Sequence, residues 1–182
     1  YFKSEDIDSW ESTIMGDFYY ATVFHEIGHA LGLEHPHSAG NYADNWVFGS
    51  DSDIGSGARD AQPYTLMSYA TYQGGDLGYT DDQRAQTFMV DDIAALQYLY
   101  GSNLATAAGA NVYGLQTLTI DQPFETTIWD GGGTDLIDWR HGTLASIIDL
   151  SPGNLSFFGD RIESASDVDI GQMVAGEGIL GI

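Results

Sequence analysis

The sequence predicts an α+β protein in which a helical, loop-rich part precedes a β-rich part. Segments 18–33 and 89–101 show helical patterning. From residue 113 onward, short runs of β-branched and aromatic residues are separated by Gly, Pro, Asn and Asp, as in strands joined by turns. We place the boundary within 102–109 and divide the 182 residues into 1–104 and 105–182.

The first part contains two predicted helices and a long connection. Asp17 is a candidate N-cap for a largely buried helix over 18–33, which Gly32 is expected to end. Residues 38–62 lack a sustained period and are predicted to form a long ordered loop. A tight apolar segment follows at 64–72, a Gly-rich turn region at 74–78, and a second helix at 89–101, closed by Gly101.

The second part contains the strand signals. Predicted strands occupy 115–120, 125–129, 136–139 and 145–150. Between the second and third lies DGGGTD, residues 130–135, which is similar to one turn of a glycine and aspartate repeat.

The charge balance limits the classes of partner. Twenty-seven acidic residues oppose five basic ones, for a formal net charge of −22, so nucleic acid and anionic membranes would be repelled and cations are the natural partners. The chain contains no cysteine, which excludes disulfides and thiolate metal sites. No apolar run approaches the roughly 20 residues that span a bilayer, and the N-terminal residues do not have signal-peptide character.

Four of the five histidines lie within ATVFHEIGHALGLEHPH, residues 21–37. On a helix, His25 and His29 project from one face towards a common point. Glu26 is rotated by roughly 100° and is better placed to hold a metal-bound water than to coordinate the metal. His35 reaches the same point only if the helix stops, and Gly32 provides the position where the chain turns back.

The pattern H-E-x-x-H-x-x-G-x-x-H therefore predicts three nitrogen ligands for Zn²⁺ with one position left open. The shorter pattern H-E-x-x-H arises by chance, and histidines satisfied within a core are the alternative interpretation. We interpret His37 as a surface residue or a neighbour of the site, and His141 as structural.

A second metal site is suggested by Asp130, Gly132, Gly133 and Asp135. Closely spaced carboxylates and glycine carbonyls are hard oxygen ligands that suit Ca²⁺. The alternative is a Gly-rich hairpin with solvated acidic side chains.

Four segments together resemble the metzincins, and within them the serralysin family of secreted bacterial zinc proteases: HEIGHALGLEHP, LMSY, DDIAALQYLYG and TIWDGGGTDLIDW. The resemblance implies a catalytic subdomain with a zinc helix, a Met-turn and a C-terminal helix, followed by the start of a calcium-binding β-roll or β-sandwich domain. It implies that Met67 forms a hydrophobic floor beneath the zinc. It also implies that Tyr69 is an additional zinc ligand, displaced when substrate binds.

The activity implied is hydrolysis of peptide bonds in protein substrates. Zn²⁺ activates a water and polarises the scissile carbonyl. Glu26 takes the water proton and later delivers it to the leaving amine, and the displaced Tyr69 stabilises the oxyanion.

Two departures from the family pattern accompany the resemblance. The loop that partners the predicted calcium turn usually carries Arg, Asp and Thr around a glycine that matches Gly109, and here those positions are Ala107, Ala110 and Asn111. Only 24 residues precede His25, too few for the N-terminal sheet of such a protease. We therefore expect the central-to-C-terminal portion of a longer protease, or one half of a chain that is cut or otherwise divided, with the missing N-terminal portion of its catalytic domain as a partner.

Two rival hypotheses remain from the sequence. The chain is a non-proteolytic zinc- and calcium-binding interaction module or an inactive fragment of a protease, or it belongs to a metal-dependent hydrolase with a non-peptide substrate.

Overall fold

A computed structural model describes residues 17–36, 59–70, 84–114, 125–138, 146–151, 154–158 and 172–175. Within these ranges there are two helices, α1 (Phe18–Ala30) and α2 (Val90–Tyr100). The strands there are β1 (Val112–Gly114), β2 (Glu125–Ile128), β3 (Leu136–Asp138), β4 (Ser146–Ile147), β5 (Leu155–Phe158) and β6 (Gln172–Ala175). The predictions for most of the 38–62 loop, the 74–78 turn region, the 115–120 strand, His37 and His141 lie outside the described residues.

Helix α1 begins where the sequence predicts and ends three residues earlier. The carboxylate of Asp17 accepts a hydrogen bond from the amide of Tyr20 at 2.7 Å, which confirms the N-cap. At the other end, the amide of Leu33 donates to the carbonyl of Gly28 and that of Gly32 to the carbonyl of His29. With Gly32 at φ +94°, these two bonds form a Schellman motif, which ends the helix at Ala30.

The expectation that α1 is largely buried is wrong. Ala21 and Gly28 are its buried residues, whereas Phe18 and Ile27 are 41% and 43% exposed. Within the described part of the chain, the helix packs one face against segments 64–67 and 85–90, so its other face stays accessible.

Helix α2 matches its predicted bounds. Met89 is the N-cap, and the carboxylate of Asp92 at position N3 accepts from the Met89 amide at 2.8 Å. Gly101 ends the helix at φ +84°. Neither described helix is long and apolar enough to cross a membrane.

The core joins the two predicted parts. It contains five buried apolar residues, Ala21, Leu66, Ala85, Met89 and Val90. Phe24 and Phe88 pack against them with their rings 5.9 Å apart, and Leu155 of β5 packs there as well. Strand β2 is attached beside it, because the amide of Thr127 donates to the hydroxyl of Thr87 at 2.9 Å.

The described strands form two sheets. One pairs β1 with β3 in parallel, and the other has the order β2-β6-β5-β4, with β2 and β6 parallel and the remaining pairs antiparallel. Strands β2, β3 and β4 fall on predicted runs. The sequence analysis did not single out β1, β5 and β6, which are three or four residues long.

Candidate metal centre

Three histidine rings meet at one point, as the spacing predicted. The Nε2 atom of His35 lies 2.9 Å from Nε2 of His25 and 3.0 Å from Nε2 of His29. Within the described part of the chain, this trio can hold a metal ion. The Schellman turn at Gly32 carries the chain back from the end of α1, which is why a residue six positions after His29 reaches the same point.

The tautomers of two of these rings follow from their partners. Nδ1 of His25 lies 3.0 Å from the carbonyl oxygen of Leu66, and Nδ1 of His29 lies 2.9 Å from that of Leu33. A carbonyl oxygen only accepts, so each Nδ1 carries a proton, and in the Nδ1–H tautomer the lone pair of each Nε2 is directed towards His35.

This arrangement fits Zn²⁺. The Nε2 lone pairs of His25 and His29 both face Nε2 of His35 at about 3 Å. A single N–H of His35 cannot make a good hydrogen bond to both nitrogens at once, whereas one cation can accept a lone pair from each of the three rings. Tetrahedral Zn–N bonds of about 2.0–2.1 Å place nitrogens about 3.3 Å apart. Imidazole is a preferred zinc ligand, and the carbonyl partners of Nδ1 hold the rings in the orientation that such a centre needs.

Met67 lies directly beneath the metal helix. The residue is 1% exposed, and a Cβ added to Gly28 would come within 2.6 Å of the Met67 sulfur. Since Gly28 lies between His25 and His29 in the sequence of α1, the thioether packs against the helix within the segment that carries these two histidines. Sequence reasoning did not use Gly28, although a glycine in the interior of a metal-binding helix is a signal of close packing.

Tyr69 contacts the histidine rings, whereas Glu26 is exposed to solvent. The Tyr69 ring stacks on His25 with centroids 5.6 Å apart and lies 4.5 Å from the ring of His35. Glu26 is exposed on α1, next to His25 in sequence. The structure therefore places the Tyr69 ring against two of the three histidines and leaves the Glu26 carboxylate accessible from solvent.

Asp92, on α2, binds the segment that contacts His25, and sequence reasoning did not single it out. Its carboxylate accepts hydrogen bonds from the Thr65 hydroxyl at 2.6 Å and the Leu66 amide at 2.7 Å, in addition to the Met89 amide. Burial raises the pKa of Asp92 to about 6, and the three donors oppose that rise. The signal available in the sequence was an acidic residue at N3 of a predicted helix.

The predicted calcium residues lie in a turn between β2 and β3. Asp130 is 2% exposed, and its carboxylate accepts from the Gly132 amide at 2.8 Å and from the Tyr113 hydroxyl. Asp135 accepts from the Asn111 amide at 2.8 Å. Burial, the hydrogen bond to Asp130 and the nearby charges raise the pKa of Tyr113 well above its ordinary value.

This turn is stacked on segment 104–111. The amide of Gly131 donates to the carbonyl of Thr106 at 2.8 Å, and the amide of Leu136 to that of Asn111 at 2.9 Å. The backbones are so close that a Cβ on Gly133 would overlap the Gly109 carbonyl oxygen. Ala107, at a departure from the family pattern, adopts φ +51°.

A helix with two histidines, a glycine turn that returns a third and a buried methionine beneath them define a metal centre of the metzincin class. No protein-family model matches the chain. The chain is 35% identical to a serralysin from Proteus mirabilis over 179 residues, which are 90% of this chain. It is 35% identical to serralysin C from Dickeya chrysanthemi over 188 residues and 33% identical to metallopeptidase AprA from Pseudomonas marginalis over 159 residues.

These similarities place the chain in the serralysin family of metzincins. They cover 80–95% of the chain. The chain spans about a third of the length of these relatives, 35%, 38% and 32% respectively.

Proposed function

We propose that the protein carrying this chain is a zinc-dependent endopeptidase that hydrolyses peptide bonds of proteins. The convergence of the three histidine Nε2 atoms is the observation that carries the proposal. The names of the relatives, serralysin and metallopeptidase, support the same class of enzyme.

We propose a role for each residue of the site, which its position supports. His25, His29 and His35 hold Zn²⁺, which supplies a Lewis acid that lowers the pKa of a water and polarises a carbonyl. Glu26, exposed beside His25, takes the proton of the attacking water and passes it to the leaving amine. Tyr69, with its ring against two of the histidines, would be a further ligand of the zinc and would donate a hydrogen bond to the substrate oxyanion.

Casein hydrolysis by the full-length protein that carries this sequence tests the proposal. We expect activity that phenanthroline abolishes and added Zn²⁺ restores. Glu26→Gln should retain zinc and lose nearly all activity, with Glu34→Gln, an exposed acid at an unspecified position of the motif, as the matched control. Cleavage that persists in the chelator, or zinc binding without cleavage of protein substrates, would favour one of the rival functions.

We also propose that Ca²⁺ binds between the stacked turns, in the first part of a β-roll that belongs to residues 105–182. The buried Asp130, the Asp135 carboxylate and the nearby Gly109 carbonyl are hard oxygen donors that support it. The parallel pairing of β1 with β3 is the strand arrangement of such a roll. Calcium should raise the unfolding temperature of the wild type, and Asp135→Asn should weaken that effect.

Residues 1–104, in this proposal, belong to the catalytic domain. Protein substrates and secretion to the exterior are proposed on the basis of the family. Recovery of the protein and its casein-hydrolysing activity in the medium of the producing cells would test secretion.

A further inference from the structure

Two buried polar side chains lie beside the segment that contacts His25. Asp92 and Thr65 are 2% and 5% exposed, and neither belongs to the predicted ligand set. Both are linked to the 66–67 peptide, whose carbonyl faces His25.

The hydrogen bonds form one continuous chain. Nδ1 of His25 donates to the Leu66 carbonyl, and the amide of the same peptide, that of Met67, donates to the Thr65 hydroxyl at 3.1 Å. The Thr65 hydroxyl in turn donates to Asp92 at 2.6 Å. Each group donates towards the carboxylate, so each bond polarises the next in the same direction.

A second bond fixes the position of the segment. The Leu66 amide donates directly to the other oxygen of Asp92, at 2.7 Å. The peptides on both sides of Leu66 are therefore held by one carboxylate at the start of α2, which restricts the direction of the carbonyl that His25 meets.

We propose that Asp92 is a positioning residue for the metal ligand His25, acting through Thr65 and the peptide between Leu66 and Met67. The chain of bonds fixes the His25 tautomer and increases electron density at its Nε2, as hydrogen-bond partners of metal-bound histidines do. The inference rests on the proposed zinc function, because it concerns the same centre.

Substitutions at Thr65 test the chain of bonds with little change in shape. Thr65→Val removes the hydroxyl and keeps the volume, whereas Thr65→Ser keeps the hydroxyl and is the matched control. We expect Thr65→Val to weaken Zn²⁺ binding about ten-fold, the lower end of the range for partners of ligands, and Thr65→Ser to stay within about two-fold of wild type. Competition with a chromophoric chelator, using Zn²⁺ alone as the probe, measures the dissociation constant in the full-length protein.

Substitutions at the two adjacent acidic residues test the charge. Asp92→Asn should also weaken zinc binding about ten-fold. Asp91→Asn, which loses an ion pair with Arg59 at 2.6 Å but leaves segment 65–67 untouched, should not. If Asp92→Asn does not fold, the comparison of Thr65→Val with Thr65→Ser tests the proposal without it.

A purely structural role gives a different result. In that case the substitutions lower the free energy of unfolding of the metal-free protein and leave the zinc dissociation constant of the folded protein unchanged. Equal zinc affinities for Thr65→Val and Thr65→Ser would overturn the proposed role of Asp92. The proposed peptidase function would still stand if the wild type hydrolysed casein. Failure of the wild type to bind zinc would instead remove the proposed function itself.

Discussion

The histidine centre (His25, His29 and His35) and the glycine–aspartate turn (residues 130–135) differ in the hydrogen-bond partners of their polar side chains. At the centre, Nδ1 of His25 and of His29 each have a carbonyl partner, and the Nε2 lone pairs converge on His35. In the turn, the carboxylates of Asp130 and Asp135 already accept hydrogen bonds from other groups of the protein. The comparison favours a cation at the histidine centre, whereas internal hydrogen bonds already hold the carboxylates of the turn.

The largest effect that separates the two regions is expected for His35→Ala. Loss of one of three ligands should weaken Zn²⁺ binding roughly 10³-fold, since structural zinc sites contribute about 10–16 kcal/mol in total. Chelator competition measures the change, with Asp135→Ala as a control that should leave zinc affinity unaltered. Comparable losses in both variants would mean that the two regions are not independent.

Next in size is Gly133→Ala in the turn. A methyl group there would overlap the Gly109 carbonyl oxygen at a backbone φ of +124°, so the stacked loops must separate. We expect a loss of about 3 kcal/mol in the free energy of unfolding, measured by chemical denaturation. Gly132→Ala, at positive φ but with open space around it, should cost clearly less. The reverse order would show that strain, not close approach, governs the turn.

Removal of the Tyr113 hydroxyl, which donates to Asp130, should have a smaller effect on the free energy of unfolding. Tyr113→Phe leaves one oxygen of a buried carboxylate without that partner, at an expected cost of about 2 kcal/mol in calcium-free protein. The pKa of Tyr113 is raised in the folded protein, so wild-type stability should fall as the pH rises above about 10, where the unfolded chain releases its phenolic proton first. Denaturation curves at pH 8 and above 10 should show a weaker fall in Tyr113→Phe.

The smallest effect is expected for Gly32→Ala at the histidine centre. The nearest atom to an added Cβ is 3.8 Å away, so the cost is the left-handed backbone at φ +94°, about 1 kcal/mol. Thermal unfolding of the metal-free protein measures it, and Gly32→Asn, which tolerates this region better, should cost less. If Gly32→Ala lowered the free energy of unfolding by clearly more than Gly133→Ala, close packing would limit residue 32 as well as residue 133.

Local rules account for much of what the sequence predicted. The cap at Asp17, the turn at Gly32 and the bounds of α2 depend on residues within one helical turn, and the structure confirms them. The burial of α1 was predicted wrongly, because exposure depends on which segments pack against the helix. Strands β5 and β6 were not singled out, since four residues are too few to show a period and β6 pairs with the distant strand β2.

By itself, the sequence determined the kinds of ligand atom and their spacing, because two histidines four apart and a glycine three further on obey helix geometry. The tertiary structure decided which nitrogen of His25 and of His29 carries the proton, and which groups surround these rings. Leu66 lies 41 residues from His25, and Asp92 lies 26 residues beyond Leu66. Only folding brings such distant groups to within hydrogen-bonding distance, and no periodic pattern in the sequence predicts these contacts.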